Sequence, residues 1–425
     1  MAYRRRIIDD TLDDVFPHLA AVSLDGAKGV GKTATATQRA ATILDLSIPR
    51  RREVVSANED YVVQLPRPVL IDEWQLVPDV WDRVKTAVDA DPAGGQFLLA
   101  GSATLAPGVR IHSGAGRIVS LMMRPLSLAE RDIAVPTVSL RELLGGNAPK
   151  IAGHSPVGVA DYADEILASG FPGIRPLPER PRELQLDSYI TRIVTHELRD
   201  NGITVRKPRA LRAWLAAYAA ATASTAMYST IRDAATAGEA EKASRVTTDA
   251  YREHLTRLFI LDPLPAWIPA FNRLNRLSAA PKHHLVDPAI AARLVGVRKA
   301  GLLAGDGDRV SRETGTWLGA LFESLAAQSV RVYAGAIGAE VGHLRTNADR
   351  YSREIDLIVE GDDRQVLAIE VKLGASVGDD DVRHLLWLGD QIGDRLVDKV
   401  VITTGDTAYR RRDGVAVIPL ALLGP

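Results

Sequence analysis

Two groups of residues in this chain have the types and spacing to do chemistry. The first opens with the loop Gly26-Ala27-Lys28-Gly29-Val30-Gly31-Lys32-Thr33, which fits G-x-x-x-x-G-K-[ST], the pattern of a loop that cradles phosphates. Its glycines let the backbone curl tightly, so that several N–H groups can point inward at phosphate oxygens. The Lys32 ammonium is expected on the β- and γ-phosphates of ATP, and the Thr33 hydroxyl on Mg2+. About 40 residues after Lys32, Pro68-Val69-Leu70-Ile71-Asp72-Glu73 describes an apolar strand ending in two carboxylates. In a parallel α/β sheet ligands sit at that end. Asp72 is therefore assigned to Mg2+ and Glu73 to polarising the attacking water. A third apolar run, 96–100, carries Ser102 behind it as a candidate γ-phosphate sensor, with Thr104 in reserve. Arg117, just before a short apolar run at 118–122, could stabilise γ-phosphate charge in cis or on a neighbouring subunit; an ordinary surface arginine is the alternative.

The second group lies near the C-terminus. Glu323 falls in an amphipathic helical stretch, Asp356 in an apolar strand at 354–359, and Glu370 and Lys372 in a strand at 366–372. The turn at 360–364 makes the two strands a hairpin. Period-two geometry puts Glu370 and Lys372 on one side, within reach of Asp356 on the partner strand. Asp356 and Glu370 could hold a divalent ion, and Lys372 could orient or deprotonate water for phosphodiester hydrolysis. Asp, 13 residues, then Glu-x-Lys resembles the PD-(D/E)xK nuclease core, with Glu323 matching the acid of its first helix. The resemblance implies a restriction-endonuclease-like domain. The alternative is that fold keeping these residues for packing or DNA docking without cleavage.

These side chains need elements to hold them. The run at 19–24 reads as the strand entering the phosphate loop and 33–46 as the helix leaving it, after a lead-in helix within 1–18. Ser127 with Glu130 three residues later forms a capping box for a short helix. Residues 132–160, with Pro136, Gly145-Gly146, Pro149 and Gly153, read as a linker. A helix follows at 184–198. Alanine-rich helices at 211–222, 228–235 and 247–258, then a strand-like run at 259–261 and a possible wing at 267–277, resemble a winged helix-turn-helix. Its recognition helix would carry Arg245, Arg252, His254 and Arg257 toward DNA; packing without DNA is the alternative. Neighbouring His283 and His284 would point to opposite faces of a strand and so are not assigned a metal.

Leu70-Ile71-Asp72-Glu73-Trp74-Gln75, Leu98-Leu99-Ala100-Gly101-Ser102, Gly116-Arg117 and Pro125-Leu126-Ser127 together resemble the bacterial and archaeal AAA+-like ATPases that carry a C-terminal domain of unknown function. Trp74 fills the apolar slot of that family's Asp-Glu-(apolar)-Gln pattern. The fold class expected is α/β: a P-loop parallel sheet with helices on both faces, a winged-helix-like middle region, and an α/β restriction-endonuclease-like domain. The expected domains are 1–135 (ATPase core), 136–205 (linker and lid), 206–280 (winged-helix-like) and 281–425 (nuclease-like).

Composition narrows the classes further. A chain of 425 residues with 46% hydrophobic and 25% charged residues is an ordinary globular protein of two or three domains. With no cysteine, disulfides, thiolate zinc sites and cysteine nucleophiles are excluded. No signal-peptide pattern or membrane-length apolar run is present, so a cytoplasmic protein is expected. The net charge of −1 leaves any nucleic-acid contact to local patches; Arg50-Arg51-Arg52 reads first as a solvated surface turn, with a nucleic-acid patch as the alternative. The expected ligands are ATP and Mg2+, and the candidate partners are DNA, a protein, or further copies of the chain in a ring, as among AAA+ relatives. The function expected is ATP hydrolysis coupled to a nuclease-like, DNA-contacting half. The alternative is a nucleotide-dependent regulatory module of toxin–antitoxin or defence type, with that half catalytically silent.

Overall fold

The computed structural model describes residues 3–101, 114–197, 207–236, 244–268, 280–305, 316–346 and 352–425. The chain forms two compact units: Met1–Pro125 with Arg192–Arg206 and Glu253–Ile260, and Leu126–Thr191 with Lys207–Arg252 and Leu261–Pro425.

The first unit is built on five parallel strands, β1 (Ala21–Asp25), β2 (Thr42–Asp45), β3 (Val69–Asp72), β4 (Phe97–Gly101) and β5 (Ile118–Met122), in the order β2-β3-β4-β1-β5. Strands covered on both faces must be apolar at nearly every position rather than alternating. Val69-Leu70-Ile71 and Phe97-Leu98-Leu99-Ala100 meet that demand and are buried. The helices are α1 (Ile7–Val15), α2 (Lys32–Thr37), α3 (Pro49–Ala57) and α4 (Asp79–Ala90). The pleat decides what each strand residue meets. Ala21, Val69, Ile71, Phe97 and Leu99 pack with Val80, Trp81, Val84 and Val88 of α4. Val22, Leu24, Leu70, Leu98 and Ala100 pack with Leu12 of α1, Phe16 and Ala36 of α2. Parallel neighbours need crossover connections, so helices line both faces.

The helix expected over 33–46 stops at Thr37. The N–H groups of Ala41 and Thr42 both donate to the Pro68 carbonyl, at 2.8 and 3.1 Å, which draws the chain into the sheet. Thr42 and Ile43 are β-branched and suit the strand β2 that results.

The second unit holds a seven-stranded mixed sheet in the order β7-β12-β13-β11-β10-β9-β8. Its strands are β7 (Gly153–His154), β8 (Glu340–Arg345), β9 (Glu354–Glu360), β10 (Val366–Val371), β11 (Leu396–Thr403), β12 (Thr407–Arg410) and β13 (Ala416–Pro419). A further pair joins β6 (Val138–Ser139) to β14 (Leu423–Gly424). Two long helices matter most, α5 (Trp317–Gly335) and α6 (Asp379–Ile392). The chain order α5-β8-β9-β10-α6-β11 makes β8, β9 and β10 an antiparallel meander, with β11 added parallel to β10 by way of α6. Val382, Leu385 and Leu388 of α6 pack with Ile358, Val366, Ala368 and Val401 of the sheet.

The stretch 132–160 is not a bare linker. It contributes β6 to the pair with β14, and β7 to the sheet edge beside β12. Of the winged-helix expectation, the helices are present at Pro208–Ala220, Tyr228–Ala235 and Arg245–Arg257. The strand expected at 259–261 is not: Phe259 has φ 56° and only Leu261 makes a bridge, to Leu285. Most of the expected wing, 269–277, lies outside the described residues.

Candidate functional site

The phosphate loop leaves the C-terminal end of β1. Gly26, Gly29 and Gly31 have φ of 151°, 88° and 107°, a region that other residues rarely enter. At Gly26 there is no room for a side chain either, since a Cβ would lie 2.2 Å from the Met123 carbonyl oxygen. Within the curl, the Lys32 ammonium donates to the carbonyls of Gly26 (2.7 Å) and Ala27 (3.0 Å) and is only 7% exposed. Burial pulls its pKa down to about 8, against the opposing pull of Glu73, Asp72 and Asp25. Asp25 at the neck is itself raised by burial, with Ser23 and Ser120 bonded to it.

The Thr33 hydroxyl donates to both Asp72 oxygens, at 2.9 and 3.0 Å, so the residue after the loop lysine and the end of β3 converge as expected. Burial raises the Asp72 pKa, the neighbouring Glu73 and Asp45 add to it, and the Thr33 bond resists. Two oxygen ligands, one hydroxyl and one carboxylate, suit a hard ion that keeps most of its waters, which is the Mg2+ preference. Glu73 has φ 54° and ψ 40°, left-handed for a residue with a side chain. Such a conformation costs about 1–3 kcal/mol and persists where the surroundings enforce it. Here the Glu73 N–H donates to Ala100 (2.9 Å) and Gln75 donates to the Glu73 carboxylate (2.5 Å). Trp74 between them is buried against Trp81, ring centroids 4.7 Å apart.

Arg6 was not foreseen as part of this site. It is buried, and its guanidinium donates to the carbonyls of Val30 and Arg124, each at 2.9 Å. Asp9 accepts from the Arg6 N–H and from Arg39, tying α1 to the chain beyond α2. Removing the guanidinium would orphan buried carbonyls, at about 1–3 kcal/mol for each group left without a partner. Arg6→Ala is therefore expected to lower the stability of the first unit by about 2–4 kcal/mol in urea unfolding. A loss under 0.5 kcal/mol would show that the loop holds itself.

Two expected residues stand elsewhere. Ser102, and its reserve Thr104, lie outside the described residues. Arg117 precedes β5, which pairs with β1 in the register Ala21↔Ile118 to Asp25↔Met122. It thus sits at the far end of the strands from the loop, about 16 Å away at about 3.3 Å per residue. Its guanidinium is paired with Asp89 of α4 at 2.8 Å. The cis γ-phosphate role is corrected accordingly. Lys28, inside the loop, pairs at its surface with Glu197 at 2.9 Å.

The C-terminal cluster does assemble. Asp356 on β9 and Glu370 at the end of β10 are buried, the half-buried Glu323 of α5 reaches the same cluster, and the Lys372 ammonium lies 3.4 Å from Glu370. At its centre is a residue assigned no chemistry from sequence: Lys282, whose ammonium is 2.8 Å from each of Glu323, Glu354 and Asp356. Burial raises Glu323 to about 8, helped by the Asp356 charge and opposed by Lys282. Burial also raises Glu370, again with Asp356. Asp356 goes the other way: despite burial, Lys282 and Lys372 hold it at about 2. The two carboxylates expected to hold a metal ion each face an ammonium group, Asp356 that of Lys282 at 2.8 Å and Glu370 that of Lys372 at 3.4 Å. Among the described residues no group of three or more His, Asp or Glu is arranged to hold a metal ion.

His283 and His284 part as expected, one to the Ala226 carbonyl (2.7 Å), the other to Ser324 (3.2 Å). On the helix proposed to face DNA, Arg257 is paired with Glu253, Arg245 and Arg252 both approach Asp249, and Arg252 lies over the Tyr228 ring. The turn at 170–172 is structural. Asp287 caps the helix Pro288–Val295 and also accepts from the Gly170 N–H and Ser169 hydroxyl.

Residues 19–131 match a family described as an AAA domain, 159–301 a domain of unknown function (DUF8612), and 318–423 a second domain of unknown function (DUF4143). Uncharacterised proteins of Mycobacterium bovis and Mycobacterium tuberculosis are each 24% identical over 295 residues, 69% of this chain and 56% of theirs. The chain thus spans about half the length of the curated relatives it matches. The ORC2 protein of Aeropyrum pernix, solved as ADPNP–ADP complexes, aligns over 69% of this chain and 93% of that one, with 13% identity and a TM-score of 0.27. At that score the likeness carries no argument. The AAA match, the loop and the strand order agree that the first unit is an AAA+-like, nucleotide-binding P-loop domain. No helix among the described residues is long and apolar enough to cross a membrane.

Proposed function

We propose that this chain is a Mg2+-dependent ATPase of the AAA+ kind, a nucleotide-driven switch whose second unit docks DNA or a protein partner. The observation that carries this is the Thr33–Asp72 hydrogen bond at 2.9 Å beside the buried Lys32 ammonium. It brings the ammonium, the metal-binding hydroxyl and the strand-end carboxylate to one end of the sheet. The loop N–H groups and Lys32 bind the phosphates of ATP, with phosphate oxygens taking the place of the Gly26 and Ala27 carbonyls as lysine partners. Mg2+, held by Thr33 and Asp72, would supply positive charge to the β- and γ-phosphate oxygens. Glu73, fixed by its backbone bond to Ala100 and by Gln75, accepts the proton of the attacking water.

The Lys32 pKa of about 8 makes this testable by pH. Only the protonated ammonium attracts a triphosphate, so binding competence is nearly full at pH 7 and falls as pH rises through 8. Apparent ATP affinity scales with the competent fraction and should weaken about tenfold between pH 7 and pH 9. Titrating a fluorescent ATP analogue at both values measures it. Affinity that is flat across that range would mean that no proton lost from Lys32 governs phosphate binding there.

For the second unit, the order α5-β8-β9-β10-α6-β11 and the placement of Glu323, Asp356, Glu370 and Lys372 support the restriction-endonuclease-like reading of the fold. The ion pairs that Lys282 makes favour docking over cleavage as its role.

A further inference from the structure

Lys282 is held from both ends. Its backbone N–H and carbonyl pair with Leu264, at 2.9 Å each way, and its side chain is 1% exposed. An ammonium has three donors and no more. Here three carboxylate oxygens stand at 2.8 Å from it: Glu323 Oε1 from α5, and Glu354 Oε1 and Asp356 Oδ1 from β9. The other Asp356 oxygen accepts the Val371 N–H at 2.9 Å, so that carboxylate is committed on both sides. A buried ammonium without carboxylates would be costly, and so would the largely enclosed Asp356 and Glu323 carboxylates without a cation, while Glu354 closes the cluster from its more open side. Each part of the cluster answers the cost of the other. The same helix and strand supply the acids that a divalent ion would need in a nuclease of this layout.

We propose that the Lys282 ammonium is the resident cation of this carboxylate cluster, and that the second unit is built to fold and act with no metal ion there. The lysine takes the position where acids from α5 and β9 converge, and it cannot swing into solvent without taking its charge away from the enclosed Glu323 and Asp356 carboxylates. The cluster then serves as an internal clamp between helix and sheet. Any contact this unit makes with DNA or protein is one of docking. This inference does not depend on ATP hydrolysis, which is measured on other residues.

Mn2+ counted per chain by electron paramagnetic resonance tests it on the full chain. The parent and the isosteric Glu323→Gln variant are expected to bind equal numbers of Mn2+. Lys282→Ala is expected to bind one more, and Lys282→Ala combined with Asp356→Asn to lose that one. A Mn2+ bound by the parent and lost in Glu323→Gln would overturn the proposal. So would a folded Lys282→Ala variant that gains none. Should Lys282→Ala fail to fold, the parent and Glu323→Gln decide between them: equal binding supports the resident lysine, and loss refutes it.

Discussion

Lys32→Ala is expected to abolish ATP turnover and to weaken ATP binding at least tenfold. The buried ammonium bonds to the carbonyls of Gly26 and Ala27 at the mouth of the loop. Removing one preorganised charge or donor that faces developing negative charge commonly costs about 10²–10³ in kcat. The variant should still fold, because the two carbonyls left behind lie in a loop rather than in the sheet. Phosphate release reads the first effect, a fluorescent ATP titration the second, and a circular dichroism melt the fold. Turnover within threefold of the parent would remove Lys32 from the mechanism.

Glu73→Gln should separate binding from hydrolysis. Glutamine matches glutamate in shape and keeps an oxygen for the Gln75 amide to bond. It cannot take a proton from water. Loss of a general base costs about 10²–10⁴ in rate. The expected result is ATP bound as tightly as by the parent, with phosphate release down by about that factor. A variant that also lost ATP binding would make Glu73 a scaffold for the β3 turn rather than a base. The structural role would come from the left-handed backbone of Glu73 and the bond of its N–H to β4.

What could be read in advance follows from what is local in sequence. The phosphate loop, the Asp72-Glu73 strand end and the runs at 96–100 and 118–122 are contiguous patterns, and each became the element expected. The hairpin of β9 and β10 was equally legible, because strand, turn and strand are adjacent. Contacts made across long separations were not. Lys282 is 41 residues from Glu323 and 74 from Asp356, and a single lysine before two histidines announces nothing. Arg6 reaches Val30 and Arg124 for the same reason unseen. Arg117 failed on pairing: its place at the far end from the loop depends on β5 lying parallel beside β1, a neighbour relation between distant segments that no local pattern states. Helix length after the loop failed on competition. The alanines and threonines at 33–42 suit a helix as well as they suit the chain that Pro68 captures into β2.

The central claim is that Lys32, Thr33, Asp72 and Glu73 together grip and hydrolyse a magnesium-bound triphosphate. The measurement closest to it is ATP binding by the Glu73→Gln variant, first with Mg2+ and then with the ion chelated. One ATP per chain is expected with Mg2+, and a clear loss of affinity on chelation that Asp72→Asn reproduces. Equal affinity with and without Mg2+, or no ATP bound at all, would contradict it.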